Sequence, residues 1–419
     1  MRRVACLILA WTAGLASAQD ADEAALLLQG SEPPRQTEAR SWKLFAEGSA
    51  GREQIRATYP NAGMRPMQRL SLDLQLDAAI APNWRAVLAD RIDIGWERQW
   101  GRRSEINTLK EAYLSWQPRN NVIVDIGRIN QRSGVGVGYN PTDYFRAGAV
   151  RSLVSVQPES IRNNRQGSVM LRGQMLWDDA SLSLLYSPRL SRHPHSGSFN
   201  LDWGSTNYED RVLLAFSKRI GRDFNPQWLV YHERGQSPQF GMNVTRLLND
   251  ATVGYVEWSG GRRPTALQQA LGHQEDRAFR NSAVAGITYS TEQKLSVTVE
   301  YQYNEAAPRG SSWNALPAAS MPAYLRYRQY TTRAQEMPTR SAWFLYATWQ
   351  DVLINRLDLS AMVRRSNADR SVLSWLELRY RRVQDEFAVQ WQAMSGGTHS
   401  EYGLAPQKRA WQLLYRYYF

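Results

Sequence analysis

Six arginines gather around one glycine-rich stretch, and their side chains suit the holding of anions. Arg128, Arg132, Arg146, Arg151, Arg162 and Arg165 face only Asp143 and Glu159 between positions 128 and 165, a local formal charge of +4. Guanidinium forks match carboxylate and phosphate groups, and a confined low-dielectric passage concentrates the field of such a cluster. Tyr139, Tyr144 and Phe145 offer packing surface, and Asn140-Pro141 with Asp143 is turn chemistry. The glycines of Gly134-Val-Gly-Val-Gly138 permit close backbone approach. The candidate site is Arg128, Arg132, Tyr139, Asp143, Arg146, Arg162 and Arg165, with Arg172 from the segment that follows.

Other chemistries find less support. Gly134 to Gly138 lacks the G-x-G-x-x-G spacing of a dinucleotide site, and no helical pattern follows to cap a pyrophosphate. His193-Pro-His195-Ser196 has no third metal ligand or orienting carboxylate at a convincing spacing. We therefore expect no catalytic residue, no metal site and no cofactor. Lysines are few, namely Lys43, Lys110, Lys218, Lys294 and Lys408, so the formal charge of +12 is carried by arginine.

The elements that must position these arginines begin after a leader. Arg2 and Arg3 precede an apolar run from Val4 to Leu15 and the small residues Ala16-Ser17-Ala18, so residues 1–18 read as a signal peptide. Its removal takes the sole cysteine, Cys6, and lowers the charge from +12 to +10. Nucleic acid is not an expected partner of an exported chain, despite a pI near 9.8. Residues 19–40 read as a periplasmic extension, helical for a turn or two or disordered. A mean hydropathy of -0.53, with no long apolar run after the leader, excludes a helical membrane protein.

From residue 41 to 419 one pattern runs throughout: segments of about ten residues with alternating polarity, the length that crosses a bilayer as tilted strands. Leu70 to Leu76, Leu295 to Tyr303, Leu357 to Ala361 and Phe387 to Trp391 are the clearest. With weaker ones the set reaches about eighteen, or sixteen if a hairpin merges. Short connections alternate with long ones, and the two longest are 130–166 and 304–340. Trp42, Trp84, Trp116, Trp177, Trp228 and Trp349 fall beside the N-terminus or the short connections, while Trp96, Trp258 and Trp343 fall near the long ones. Such tryptophans mark the two membrane interfaces. Assigning each apolar face to lipid leaves Asp73, Gln75, Arg91, Asp93, Glu111, Arg172, Gln174, Glu300, Gln302, Asp358, Arg364, Glu377, Arg379 and Arg416 inside.

The final residues K-R-A-W-Q-L-L-Y-R-Y-Y-F place Trp411, Leu413, Tyr415, Tyr417 and Phe419 on one wholly apolar face of a strand. This pattern, ending in Phe, resembles the assembly signal of Gram-negative outer-membrane β-barrels. L-K-E-A-Y-L-S-W at 109–116 and G-Y-N-P-T-D-Y-F-R at 138–146 resemble segments of porin-like and alginate-export-like channels. The resemblance implies an all-β, antiparallel, up-and-down transmembrane barrel with both termini periplasmic and no enzymatic step. It also implies an inward third loop that narrows a pore. Expected partners are outer-membrane lipids and lipopolysaccharide, the barrel-assembly machinery, and small solutes or an anionic polymer. The alternatives are a non-conducting barrel serving as an assembly or export partner or adhesin, and an outer-membrane hydrolase. Lipopolysaccharide binding, or a GC-rich genome, also accounts for the arginine surplus.

Overall fold

The computed structural model describes residues 42–96, 105–152, 154–191, 197, 199, 201–221, 224–273 and 277–419. The leader, the periplasmic extension and the His193–Ser196 motif lie outside the described residues. Eighteen strands follow one another: β1 Trp42–Ile55, β2 Gly63–Ala81, β3 Trp84–Gly95, β4 Glu105–Arg119, β5 Val122–Ile129 and β6 Ser168–Leu176. Next come β7 Ala180–Ser187, β8 Arg211–Lys218, β9 Phe224–Glu233, β10 Gln239–Asn249, β11 Thr252–Arg263 and β12 Ala278–Ser290. The last are β13 Leu295–Asn304, β14 Ser341–Trp349, β15 Leu357–Ser366, β16 Val372–Arg381, β17 Asp385–Ser395 and β18 Gln407–Tyr418.

Each strand pairs antiparallel with the next, and β18 pairs antiparallel with β1 in a register running from Phe45 opposite Tyr418 to Ile55 opposite Gln407. The sheet is therefore a closed barrel, in which strand groups on the wall hydrogen-bond to neighbours on both sides, as a span through hydrocarbon requires. Period-two alternation divides the wall into two faces. Leu70, Leu72, Ile126, Leu171, Leu214, Val256, Leu376 and Val389 are exposed outward, while Asp73, Arg91, Arg172, Glu257, Glu300 and Arg379's neighbour Glu377 are buried inward. Among the described residues no helix is long and apolar enough to cross a membrane.

Strand connections alternate in length around most of the barrel, with 234–238 and 367–371 as short exceptions on the long-loop side, so one rim carries short turns and the other the long loops. The six tryptophans assigned to the short-turn rim, from Trp42 to Trp349, are all exposed. Trp84 stacks on Trp116 and Phe216 on Trp228, with both pairs of ring centroids 5.8 Å apart.

The long loops contain structure that polarity alternation does not announce. Helices α1 Pro158–Asn163 and α2 Ala266–Leu271 are single short segments, and α3 Gly310–Ala319 with α4 Met321–Ala334 fills most of the seventh loop. Ser320 caps α4 by accepting from the Ala323 N–H, and Pro322 sits in its first turn, where no amide partner is lost. Tyr324, Tyr327 and Thr331 form its buried stripe at helical spacing, and Tyr324 and Tyr327 pack around Trp313 of α3. The long connection 304–340 is thus largely helical: the capped, striped segment buries aromatics against neighbouring loops. Tyr324 donates to the His399 carbonyl at 2.7 Å and Trp313 Nε1 to Asp369 at 2.8 Å.

Candidate functional site

The third loop, 130–167, leaves the wall between β5 and β6 and makes contact on two sides of the interior. Beside β5 to β9, Phe145 joins a buried apolar cluster with Ile129, Met170, Leu185, Leu213, Leu229 and Tyr231. Tyr144 stacks on Tyr231 with centroids 4.5 Å apart and hydrogen-bonds Ser259 at 3.0 Å. That burial pushes the Tyr144 phenol up to about 12. Earlier in the loop, Tyr139 packs with Tyr255, Val284, Met337 and Ala342, and Val137, with Val156, packs against Phe344, Tyr346, Met362 and Trp375. One loop thus touches inward-facing residues of strands from β5 to β16.

Two wall carboxylates hold its glycine-rich turn. Glu257 of β11 accepts the N–H groups of Val135 and Gly136, each at 2.9 Å, and the N–H and hydroxyl of Thr142, each at 2.8 Å. Glu300 of β13 accepts from the Val137 N–H, the Gly138 N–H at 3.0 Å and the Tyr255 hydroxyl at 2.8 Å. Neither carboxylate has an ion-pair partner within 4.0 Å among the described residues, so hydrogen bonds satisfy them, from the loop at Glu257 and from the loop with Tyr255 and Gln302 of the wall at Glu300. Gly134 has φ +96°, and a side chain there would run into Glu257; at Gly138 a Cβ would meet Gln302 Nε2 at 2.5 Å and the Phe344 ring at 2.7 Å. The close approach read from these glycines therefore serves the opposite barrel wall.

Most of the candidate arginines are engaged. Arg128 is fully buried, donating to the carbonyls of Gly167 and Asp202 and to Thr206, with the Trp203 ring 5.4 Å from its guanidinium carbon. Arg165 pairs with Asp143 at 2.7 Å, and Arg172 with Asp125 at 2.8 Å. Arg146 is buried against Tyr139 and pairs with Glu336 of the seventh loop at 2.5 Å; Tyr139 donates to the same carboxylate at 2.7 Å. Burial alone would raise the Glu336 carboxyl, but the Arg146 and Arg263 guanidiniums outweigh it and hold the group below its usual 4.5. Arg132 is exposed and bonds Asn163, and Arg162 is half-buried and bonds the Ser133 carbonyl; like buried Arg128, neither forms an ion pair among the described residues. Asp125 and Glu336, from outside the 128–165 stretch, thus add to the two acids counted within it.

The inward wall charges form a network across the seam. Arg379 bonds Glu377 and Glu386; Arg416 bridges Glu386 and Glu47; Arg91 reaches Glu47, Asp73 and Asp93; and Lys110 holds Asp73 at 2.7 Å. Glu47, Lys110, Asp125, Glu257 and Glu386 were absent from the sequence-derived interior set, although strand parity alone places Glu257 between Tyr255 and Ser259 on the inward face. Trp411, Leu413, Tyr415, Tyr417 and Phe419 all lie on the exposed outer face, with β18 closing on β1.

A closed eighteen-stranded barrel with an apolar outer wall and a charged interior is the fold of the Gram-negative outer-membrane β-barrel channels. Solved structures share it. OccAB1 of Acinetobacter baumannii aligns with a TM-score of 0.55 at 9% identity, over 92% of this chain and 99% of that one. OccK5 (OpdH) of Pseudomonas aeruginosa aligns with 0.53 at 8% identity over 90% and 98%, and OccK11 (OpdR) of the same organism with 0.51 at 12% identity over 90% and 95%. At these identities the likeness is one of fold. No protein-family model and no curated protein matches the chain.

Proposed function

We propose that this protein is an outer-membrane channel for passive passage of small, anionic solutes or an anionic polymer, with the third loop as its constriction and both termini in the periplasm. The observation that carries the reading is the fastening of the glycine-rich turn to Glu257 and Glu300, which keeps a long loop in the barrel interior. Anion preference rests on Arg132 and Arg162, which are more accessible than Arg128 and, like it, form no ion pair among the described residues. Arg128, Arg146, Arg165 and Arg172 then shape the passage, with Tyr139 and Asp143 as their supports. The chain supplies no chemical step in this reading. The Trp411–Phe419 face serves as the assembly signal.

The test is conductance of the reconstituted protein in a planar bilayer, with reversal potential measured across a KCl gradient. Chloride should be favoured over potassium, and R132E/R162E should move selectivity toward cations, most at low salt, where the Debye length is longest. Unchanged selectivity would remove the anionic assignment. Absence of conductance from heat-modifiable, folded protein would favour the non-conducting barrel.

A further inference from the structure

The outer wall carries a feature that conduction does not use. Arg52 on β1, Arg262 on β11 and Arg365 on β15 are exposed, and each lies within four residues of the long-loop end of its strand. Strand parity turns them away from the interior: Arg262 shares its face with exposed Val256, and Arg365 with exposed Val363, while the inward positions beside them are buried Gly261 and Ser366. Arg52 shares the outward side of β1 with Ala50, opposite to buried Glu47 and Glu53.

Each of these guanidiniums stands in register with an exposed aromatic ring on the adjoining strand. Arg52 is opposite Trp411, Arg262 opposite Phe279 and Arg365 opposite Trp343. None of the three has a hydrogen-bond or ion-pair partner among the described residues. At the seam the arrangement is doubled, because Arg409, held through Nε by Gln54 at 2.5 Å, lies diagonally beside Arg52.

A charge on the lipid face is strongly unfavourable at mid-bilayer and tolerated only toward the interface. Exposed tryptophan and phenylalanine at strand ends mark that interface. A guanidinium placed there, with no protein partner, meets one abundant class of counter-ion, the headgroup phosphate, which its fork can bind bidentately. Because these residues face the lipid and not the passage, the phosphate belongs to a lipid and not to a solute in transit. We propose that Arg52, Arg262 and Arg365, each beside its aromatic neighbour, seat phosphate groups of lipid headgroups in the leaflet at the long-loop rim, and so fix the barrel's depth there.

The experiment uses the full folded chain in zwitterionic detergent and follows the midpoint of heat-induced unfolding while bisphosphorylated lipid A is titrated in. The midpoint should rise with lipid A and stay put with its dephosphorylated form or with inorganic phosphate. In R52Q/R262Q/R365Q the half-saturating concentration should increase about tenfold or more, the effect of losing charge-assisted hydrogen bonds. An identical titration for wild type and triple variant overturns the proposal, as does a shift reproduced by inorganic phosphate or no shift at all. Should the triple variant fail to assemble, the three single glutamine variants are titrated instead. Weaker binding in them supports the seats, and wild-type binding in all three overturns them.

Discussion

Thr142 gives both its backbone N–H and its hydroxyl to one oxygen of Glu257, each at 2.8 Å, which joins a loop that begins after β5 to the wall of β11. Val135 and Gly136 occupy the other oxygen, so four donors from one short segment converge on a single carboxylate. A charged group satisfied this way is worth keeping: a hydrogen bond to a charged group contributes about 1.5 to 3 kcal/mol.

Glu257→Ala combined with Glu300→Ala should therefore free the loop while leaving the wall strands paired. Single-channel conductance and open-channel noise should both rise, and the 130–167 segment should become accessible to protease in the folded barrel. Wild-type conductance with a protease-resistant loop would show that the apolar contacts of Tyr139 and Phe145 suffice to hold it.

Acid should act on the link between the third and seventh loops. The Glu336 carboxyl is held below its usual 4.5 by Arg146 and Arg263, so its contribution is present above that value and is lost as pH falls through the lower folded value. Unfolding midpoints measured from pH 7 downward should fall below about pH 4.5 in wild type. Glu336→Gln should lower stability at pH 7, on the order of 3 kcal/mol for breaking a largely buried pair, and flatten the acid dependence. Equal acid sensitivity in both proteins would assign the effect to other carboxylates.

Assembly should depend on the outward face of the last strand. Tyr415→Asp with Tyr417→Asp puts charge where lipid is expected, at a cost of about 2 to 4 kcal/mol for a basic residue at mid-bilayer and less for acids or nearer the interface. Together with deletion of Phe419, these changes should reduce the heat-modifiable form recovered in outer-membrane fractions. Recovery at wild-type levels would separate strand closure from the terminal aromatic pattern.

The sequence by itself determined the strands and which side of each faces lipid. Alternation is a local property: Leu70 to Leu76 or Trp411 to Phe419 displays its two faces without reference to any other segment. Closure follows from the backbone, since a lipid-facing strand cannot leave its edge groups unpaired, and β1 pairs with β18. The candidate loop was legible too, from its length, glycines and aromatics. Tertiary structure alone decided what its arginines do. Arg146 and Glu336, and Glu257 with Gly136, are far apart in sequence, and no local charge count joins them. The packing of the end of α4 against the third loop brings Glu336 to Arg146, and closure of the wall brings Glu257 to the glycine turn. Pairing across a closed barrel thus turned a run of arginines into a mixed set: Arg146 and Arg165 held by carboxylates, Arg128 buried against carbonyls, and Arg132 and Arg162 more loosely engaged.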